Sequence, residues 1–174
     1  MAKNVLVSII CADRVGLVSA ISASLFDLGG NLGDTSFAVL GAGAEFTSIC
    51  EMPDEIAIAE IESILAAQPE LAGAKIVVAP FDLGFLHGPS GDISHFIEIT
   101  GGDRPGLIAR LSEVFVQFDA NIVRMTSEKI PAGDDFHYTI RIAAQIPPER
   151  EEACLATVTN TAGEMKLRAS WQPA

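Results

Sequence analysis

The chain has 174 residues, 49% of them hydrophobic, with 15 glycines besides; together these make roughly 58%, against about 45–50% in ordinary globular domains, which excludes a disordered chain and asks for extensive burial. Eleven Lys and Arg against 23 Asp and Glu leave a net charge of −12, with no basic run, and this speaks against direct contact with the phosphates of nucleic acid. Cys11, Cys50 and Cys154 are too scattered for a disulfide framework, and no apolar stretch nears the ~20 residues of a membrane span, so a soluble cytoplasmic protein is expected.

The amino-terminal "NVLVSIICA" is rich in β-branched residues and reads as a strand rather than a signal peptide. From Gly16 onward, Leu17, Ile21, Leu25 and Leu28 recur at helical spacing, predicting a helix with one apolar face; Gly29 and Gly30 follow as a carboxy-terminal cap. "NLGDTSFAVL" and "AEFTSICEM" read as strands joined by the turn "GAG". Asp54 is placed to cap a second helix with Ile58, Ile61 and Leu65 facing inward, and "AKIVVAP" gives a fourth strand.

The segment "FDLGFLHGPSG" (81–91) reads as a linker, and its Phe81, Leu83, Phe85 and Leu86 lead us to expect it packed against the sheet or helices. Beyond it the same order returns. "ISHFIEIT" is a strand, and Leu107, Leu111, Phe115 and Phe118 mark a helix. "NIVRMTSEK" and "FHYTIRIAAQI" are strands around a longer hairpin, "IPAGDD". Pro148 suits the start of a helix carrying Leu155, Val158 and Ala162, and "MKLRASW" is the last strand.

The two halves are copies of one unit. Residues 13–32 align without gaps on 103–122, pairing Asp13 with Asp103, Arg14 with Arg104, Gly16 with Gly106, Leu17 with Leu107 and Asn31 with Asn121; apolar positions between them pair with apolar positions. By the second helix the offset has grown from 90 to 94, which places an insertion in the second hairpin. The expected fold class is α+β: two tandem ferredoxin-like βαββαβ units with antiparallel sheets and helices on one face, at residues 1–80 and 92–174.

The repeated phrase, "DRVGL" and then "DRPGL", is the turn between the first strand and the first helix of each unit. The Asp can accept hydrogen bonds from first-turn amides, Pro105 suits a first helical turn, and Gly106 permits close backbone approach. The amides of that turn and the positive end of the helix dipole suit an anion such as a carboxylate. Asn31 and Asn121 open the second strand of each unit, beside the first strand, and place a polar amide near that edge.

A βαββαβ unit with "DRPGL" entering its first helix and "NI" entering its second strand resembles the ACT domain family, whose members bind amino acids as regulatory modules. The resemblance covers both halves. Two such units without a catalytic domain, with "AVLGAGAEFTSI" in the first, also resemble the glycine cleavage system transcriptional repressor family. The resemblance implies an effector held between the strand-to-helix loop of one unit and the second-strand start of another. The candidates are Asp13, Arg14, Val15, Gly16, Leu17 and Asn31, and Asp103, Arg104, Pro105, Gly106, Leu107 and Asn121. Val15 stands where the family has Pro. It further implies a small amino acid as ligand, glycine first, a homodimer, and action through a DNA-binding protein partner.

Other chemistry has less support. His87, His95 and His137 lack ligand spacing for a metal, "GAGAEF" lacks the third glycine of a dinucleotide fingerprint, and Cys11 reads as a small buried residue. No nucleophile with a base and an orienting partner stands out, so no enzyme and no cofactor is expected. The alternatives are a ligand-independent interaction or oligomerisation module and an enzyme whose groups the sequence conceals.

Overall fold

The computed structural model of the protein describes residues 2–84, 88–133 and 135–174; Met1, Phe85, Leu86, His87 and Asp134 lie outside the described residues. The chain divides into two compact units, Met1–Leu83 and Gly84–Ala174. In the first, β1 (Ala2–Ala12), α1 (Leu17–Asp27), β2 (Asn31–Leu40), β3 (Gly43–Pro53), α2 (Ile58–Ala66) and β4 (Lys75–Pro80) follow in order. In the second the same order gives β5 (His95–Gly102), α3 (Leu107–Gln117), β6 (Asn121–Ala132), β7 (Asp135–Gln145), α4 (Glu151–Glu164) and β8 (Arg168–Pro173). The sheets run β2-β3-β1-β4 and β6-β7-β5-β8, antiparallel throughout, so each unit is βαββαβ as its sequence predicts.

Alternation along the central strands decides the burial. Val5, Val7 and Ile9 of β1 turn one way and are fully buried against Leu17, Ile21 and Leu25 of α1 and Ile61 and Leu65 of α2. In the second unit, Ile97 and Ile99 of β5 meet Leu107, Leu111 and Phe115 of α3 and Leu155 and Val158 of α4 in the same way. Each core is thus a single sheet face closed by two helices. No helix of the described residues is long and apolar enough to cross a membrane.

Three expectations are corrected. Asp54 does not cap α2: Ile56 N–H turns back to Pro53 O at 3.2 Å, and the helix starts later, on an extended Ala57 without a side-chain cap. Of the apolar residues after β4, Phe81 adds one bond through its N–H to Asn4 O at 2.9 Å and Leu83 is 74% exposed rather than packed, while Phe85 and Leu86 lie outside the described residues. The insertion in the second hairpin does not make a long loop. Ile130, Pro131 and Ala132 pair with His137, Phe136 and Asp135, so "IPAGDD" is mostly ladder. Four extra residues, two on each strand, keep every side chain on its original face, which an odd insertion would not.

Candidate ligand site at the strand-to-helix loops

Each repeated phrase leaves the end of a central strand, crosses the top of the core and enters a helix. Gly16 and Gly106 are the amino-terminal cap residues of α1 and α3, and both are left-handed, with φ of 95° and 79°. A Cβ on Gly106 would meet nothing within 4 Å, and one on Gly16 only Glu70 Cγ at 4.0 Å. Backbone conformation, rather than the close approach expected from sequence, is what requires glycine here. Leu17 and Leu107 follow directly and are 2% exposed, anchoring the loop to the core.

Each arginine donates to a main-chain carbonyl of its own unit. Arg14 Nη1 donates to Pro69 O at 3.3 Å, just beyond α2. Arg104 Nε donates to Met165 O, also at 3.3 Å, at the carboxy-terminal cap of α4. The Arg104 guanidinium thus meets the negative end of the α4 dipole, whereas Pro69 opens the short helical turn after α2 and its carbonyl also accepts from Ala72 N–H at 3.3 Å. Arg104 therefore fastens its loop to the end of α4, and Arg14 fastens its loop to the turn after α2.

The aspartates are not caps: neither helix has a side-chain hydrogen bond at its amino-terminal cap. The loop bends at Gly16 and Gly106 so that the glycine itself occupies the cap position. Asp103 instead pairs with Lys129 Nζ at 2.7 Å, and the same ammonium lies 4.5 Å from the centre of the Phe136 ring. The first copy has Val39 at the position of Lys129 by the 90-residue offset. Asp13 is held through its main chain, its N–H donating to Ala42 O at 3.1 Å. Pro105 sits one residue before the cap rather than within the helix, where its fixed φ restrains the turn. Val15, its counterpart, is wholly exposed.

In the second unit, Asp103 through Ala109 and Tyr138 line a cleft of about 250 Å³. Leu107 N–H donates to Arg104 O at 3.2 Å, closing the turn. The first helical bond runs from Arg110 N–H to Gly106 O at 3.0 Å, which leaves the amides of Ile108 and Ala109 as the first-turn donors on the cleft. Lys129 and Tyr138 are site residues that sequence reasoning missed. Tyr138 pairs with Gly101, whereas the corresponding pair in the first unit is Ala44 with Cys11, so only the second loop has an aromatic wall.

The asparagines open β2 and β6, and each strand bulges directly afterwards, between Leu32 and Thr35 and between Ile122 and Arg124. Asn121 Nδ2 donates to Ser90 O at 2.7 Å, tying β6 to the segment before β5. Asn31 is exposed at the equivalent place.

The remaining reactive groups are otherwise engaged. Burial pushes the Cys11 thiol up, with Arg14 pulling weakly the other way, so beside the loop it stays a protonated thiol. His95 is buried, with Nδ1 3.0 Å from Ser94 Oγ and Nε2 3.4 Å from Glu151. His137 pairs at the opposite end of β5, opposite Gly102, so these two histidines share no ligand. His87 lies outside the described residues.

No protein-family model and no curated protein matches the sequence. Among solved structures, an unknown protein from Galdieria sulphuraria is similar over 100% of this chain and 99% of its own, with a TM-score of 0.77 and 18% identity. A candidate glycine cleavage system transcriptional repressor is similar over 100% of this chain and 98% of its own, with a TM-score of 0.69 and 14% identity. The chain shares the fold of these two structures over its full length, and the resemblance of its repeated phrase to the ACT motif stands beside that fold. Within this doubled βαββαβ fold, the repeated loops occupy equivalent places in both units, and their surroundings differ chiefly at Lys129 and Tyr138.

Proposed function

We propose that the protein is a non-enzymatic regulator that senses a small amino acid at its strand-to-helix loops. The observation that carries this reading is the cleft over the second loop, where a glycine-capped helix start, Tyr138 and the Asp103–Lys129 pair converge. A ligand carboxylate is received by the amides of Gly106, Ile108 and Ala109 at the positive end of α3. Asp103 and Lys129 offer a charge of each sign to a zwitterion. Glycine is the first candidate, on the resemblance to the glycine cleavage repressor family. Asp13, Arg14, Val15, Gly16, Leu17 and Asn31 form the corresponding loop of the first unit, where the exposed Val15 and the missing lysine and tyrosine make a poorer site. Asn31 and Asn121 open β2 and β6 at the other end of the sheets, eight residues along β3 and β7 from where the loops leave, so neither meets the loop of its own unit.

The regulator acts as a homodimer through a DNA-binding protein partner, because a net charge of −12 opposes direct contact with a polyanion. Isothermal titration calorimetry of the full chain against the twenty amino acids tests the sensor. Saturable binding of one or two of them, abolished or much weakened by Gly106→Val, is the expected result. Flat traces throughout overturn it and favour a ligand-independent interaction module, a reading to which the wholly exposed Val15 and the 73% exposed Phe26 lend support.

A further inference from the structure

The sheet of the second unit has a face turned away from its helices, and the strand register sets side chains there in rows. One row runs Arg124 on β6, Ala143 on β7, Phe96 on β5 and Gln172 on β8. The next row places Arg141 beside Glu98. Ala143 contributes only a methyl group and is 5% exposed, so the first row sinks between Arg124 and Phe96. A cleft of about 550 Å³ lies there, within the size range of small-molecule sites.

The charges in this cleft are unequally committed. Arg141 Nε donates to Glu98 Oε2 at 3.0 Å and its Nη1 to Glu128 Oε1 at 3.3 Å, so its charge is answered on both sides. Arg124 pairs with no carboxylate among the described residues. Of the two arginines that line the cleft, Arg124 is therefore the one whose charge is left for a ligand. Phe96, next but one in the same row, keeps 41% of its surface exposed. A cation that can grip an anion in a fork and a ring that wants cover thus flank one depression.

We propose that this cleft is a second ligand site, separate from the loops, for a small organic anion with a planar apolar body. The anionic head, carboxylate or phosphate, binds Arg124. The ring lies over Ala143 against Phe96, and the Gln172 amide meets a polar group at the far end.

The test is an NMR titration of the ¹⁵N-labelled full chain with benzoate, phenyl phosphate, inorganic phosphate and benzyl alcohol. Benzoate or phenyl phosphate should move the amides of Phe96, Arg124 and Ala143 saturably, and which of the two is tighter identifies the head group. Benzyl alcohol lacks the charge and inorganic phosphate lacks the ring, so each should bind about ten-fold more weakly or not at all. Arg124→Gln and Phe96→Ala should each weaken the aromatic anion about ten-fold, with the rest of the spectrum unmoved as proof of folding. The proposal is overturned if neither aromatic anion binds, if either variant binds as the parent does, if inorganic phosphate matches phenyl phosphate, or if the shifts fall on residues 103–107 instead.

Discussion

Lys129, on β6, places its ammonium 2.7 Å from the carboxylate of Asp103, which lines the second-loop cleft. Both side chains are nearly half exposed, 45% and 42%, so solvent screens the pair and it adds less than about 1 kcal/mol to stability. Its effect is on what the cleft sees. Lys129→Met should leave the urea midpoint nearly unchanged while weakening amino-acid binding several-fold, because Asp103 is then left to repel an incoming carboxylate. Calorimetry of the variant at low and high salt checks this: the loss should shrink as salt screens the carboxylate. A variant that binds as tightly as the parent removes Lys129 from the site.

Two glycines at the same loop should respond differently to alanine. At Gly106 the added methyl enters open space and only the left-handed backbone objects, so Gly106→Ala should cost about 1–2 kcal/mol. At Gly101 the methyl would stand 2.4 Å from Leu167 Cδ2, on a backbone with φ of 154°, and Leu167 belongs to the core. Gly101→Ala should therefore cost more, about 2–4 kcal/mol, since overpacking adds to the strain. Urea unfolding of the two variants settles the order, and the reverse order would contradict the placement of Leu167.

The asparagines should separate by structural role. Asn121→Ala removes the bond to Ser90 O and should cost about 0.5–1.5 kcal/mol, with faster amide exchange at Gly91 and Asp92, whose N–H groups close the adjoining turn. Asn31→Ala should change stability by less than about 0.5 kcal/mol, as surface substitutions do. Hydrogen exchange that is unaltered in the Asn121 variant would show the tie to be inconsequential.

Alkaline pH should weaken the fold through its thiols. Burial pushes Cys154 from 9.0 up to about 11, and raises Cys11 and Cys50 in the same direction. Below pH 9 the thiol is protonated in both the folded and the unfolded chain. Between the two values the unfolded chain gives up its proton while the folded chain holds it, so stability falls as pH rises. The fall attributable to Cys154 is about 2–3 kcal/mol across that window. Urea unfolding at pH 8 and pH 10.5 should give a smaller drop for Cys154→Ala than for the parent, with an equal drop counting against a buried neutral thiol.

Much of this molecule was legible in one dimension. The ungapped match of residues 13–32 with 103–122 established a doubled unit, and apolar spacing told which faces of α1, α3 and α4 turn inward. These are local signals: the periods of strand and helix, and the few residues able to occupy a left-handed turn. Asp54 and the aspartates of the loops show where local reading ends. A short acceptor near a helix start is a cap only if the chain's path brings the amides to it, and here alanine and glycine hold the cap positions.

What the tertiary structure alone decided is which distant groups meet. Arg104 reaches Met165 across 61 residues and Lys129 reaches Asp103 across 26. Tyr138 comes over the second loop, and Arg124 comes into one row with Phe96, only because strand register puts them there. Register depends on the sum of many weak pairings, which the spacing of the residues does not give; the spacing showed four residues added at the second hairpin, but not that they extend the ladder by two on each strand. The sequence of this protein therefore carried its scaffold twice over, while the difference between its two loops arose from partners that only the folded sheet supplies.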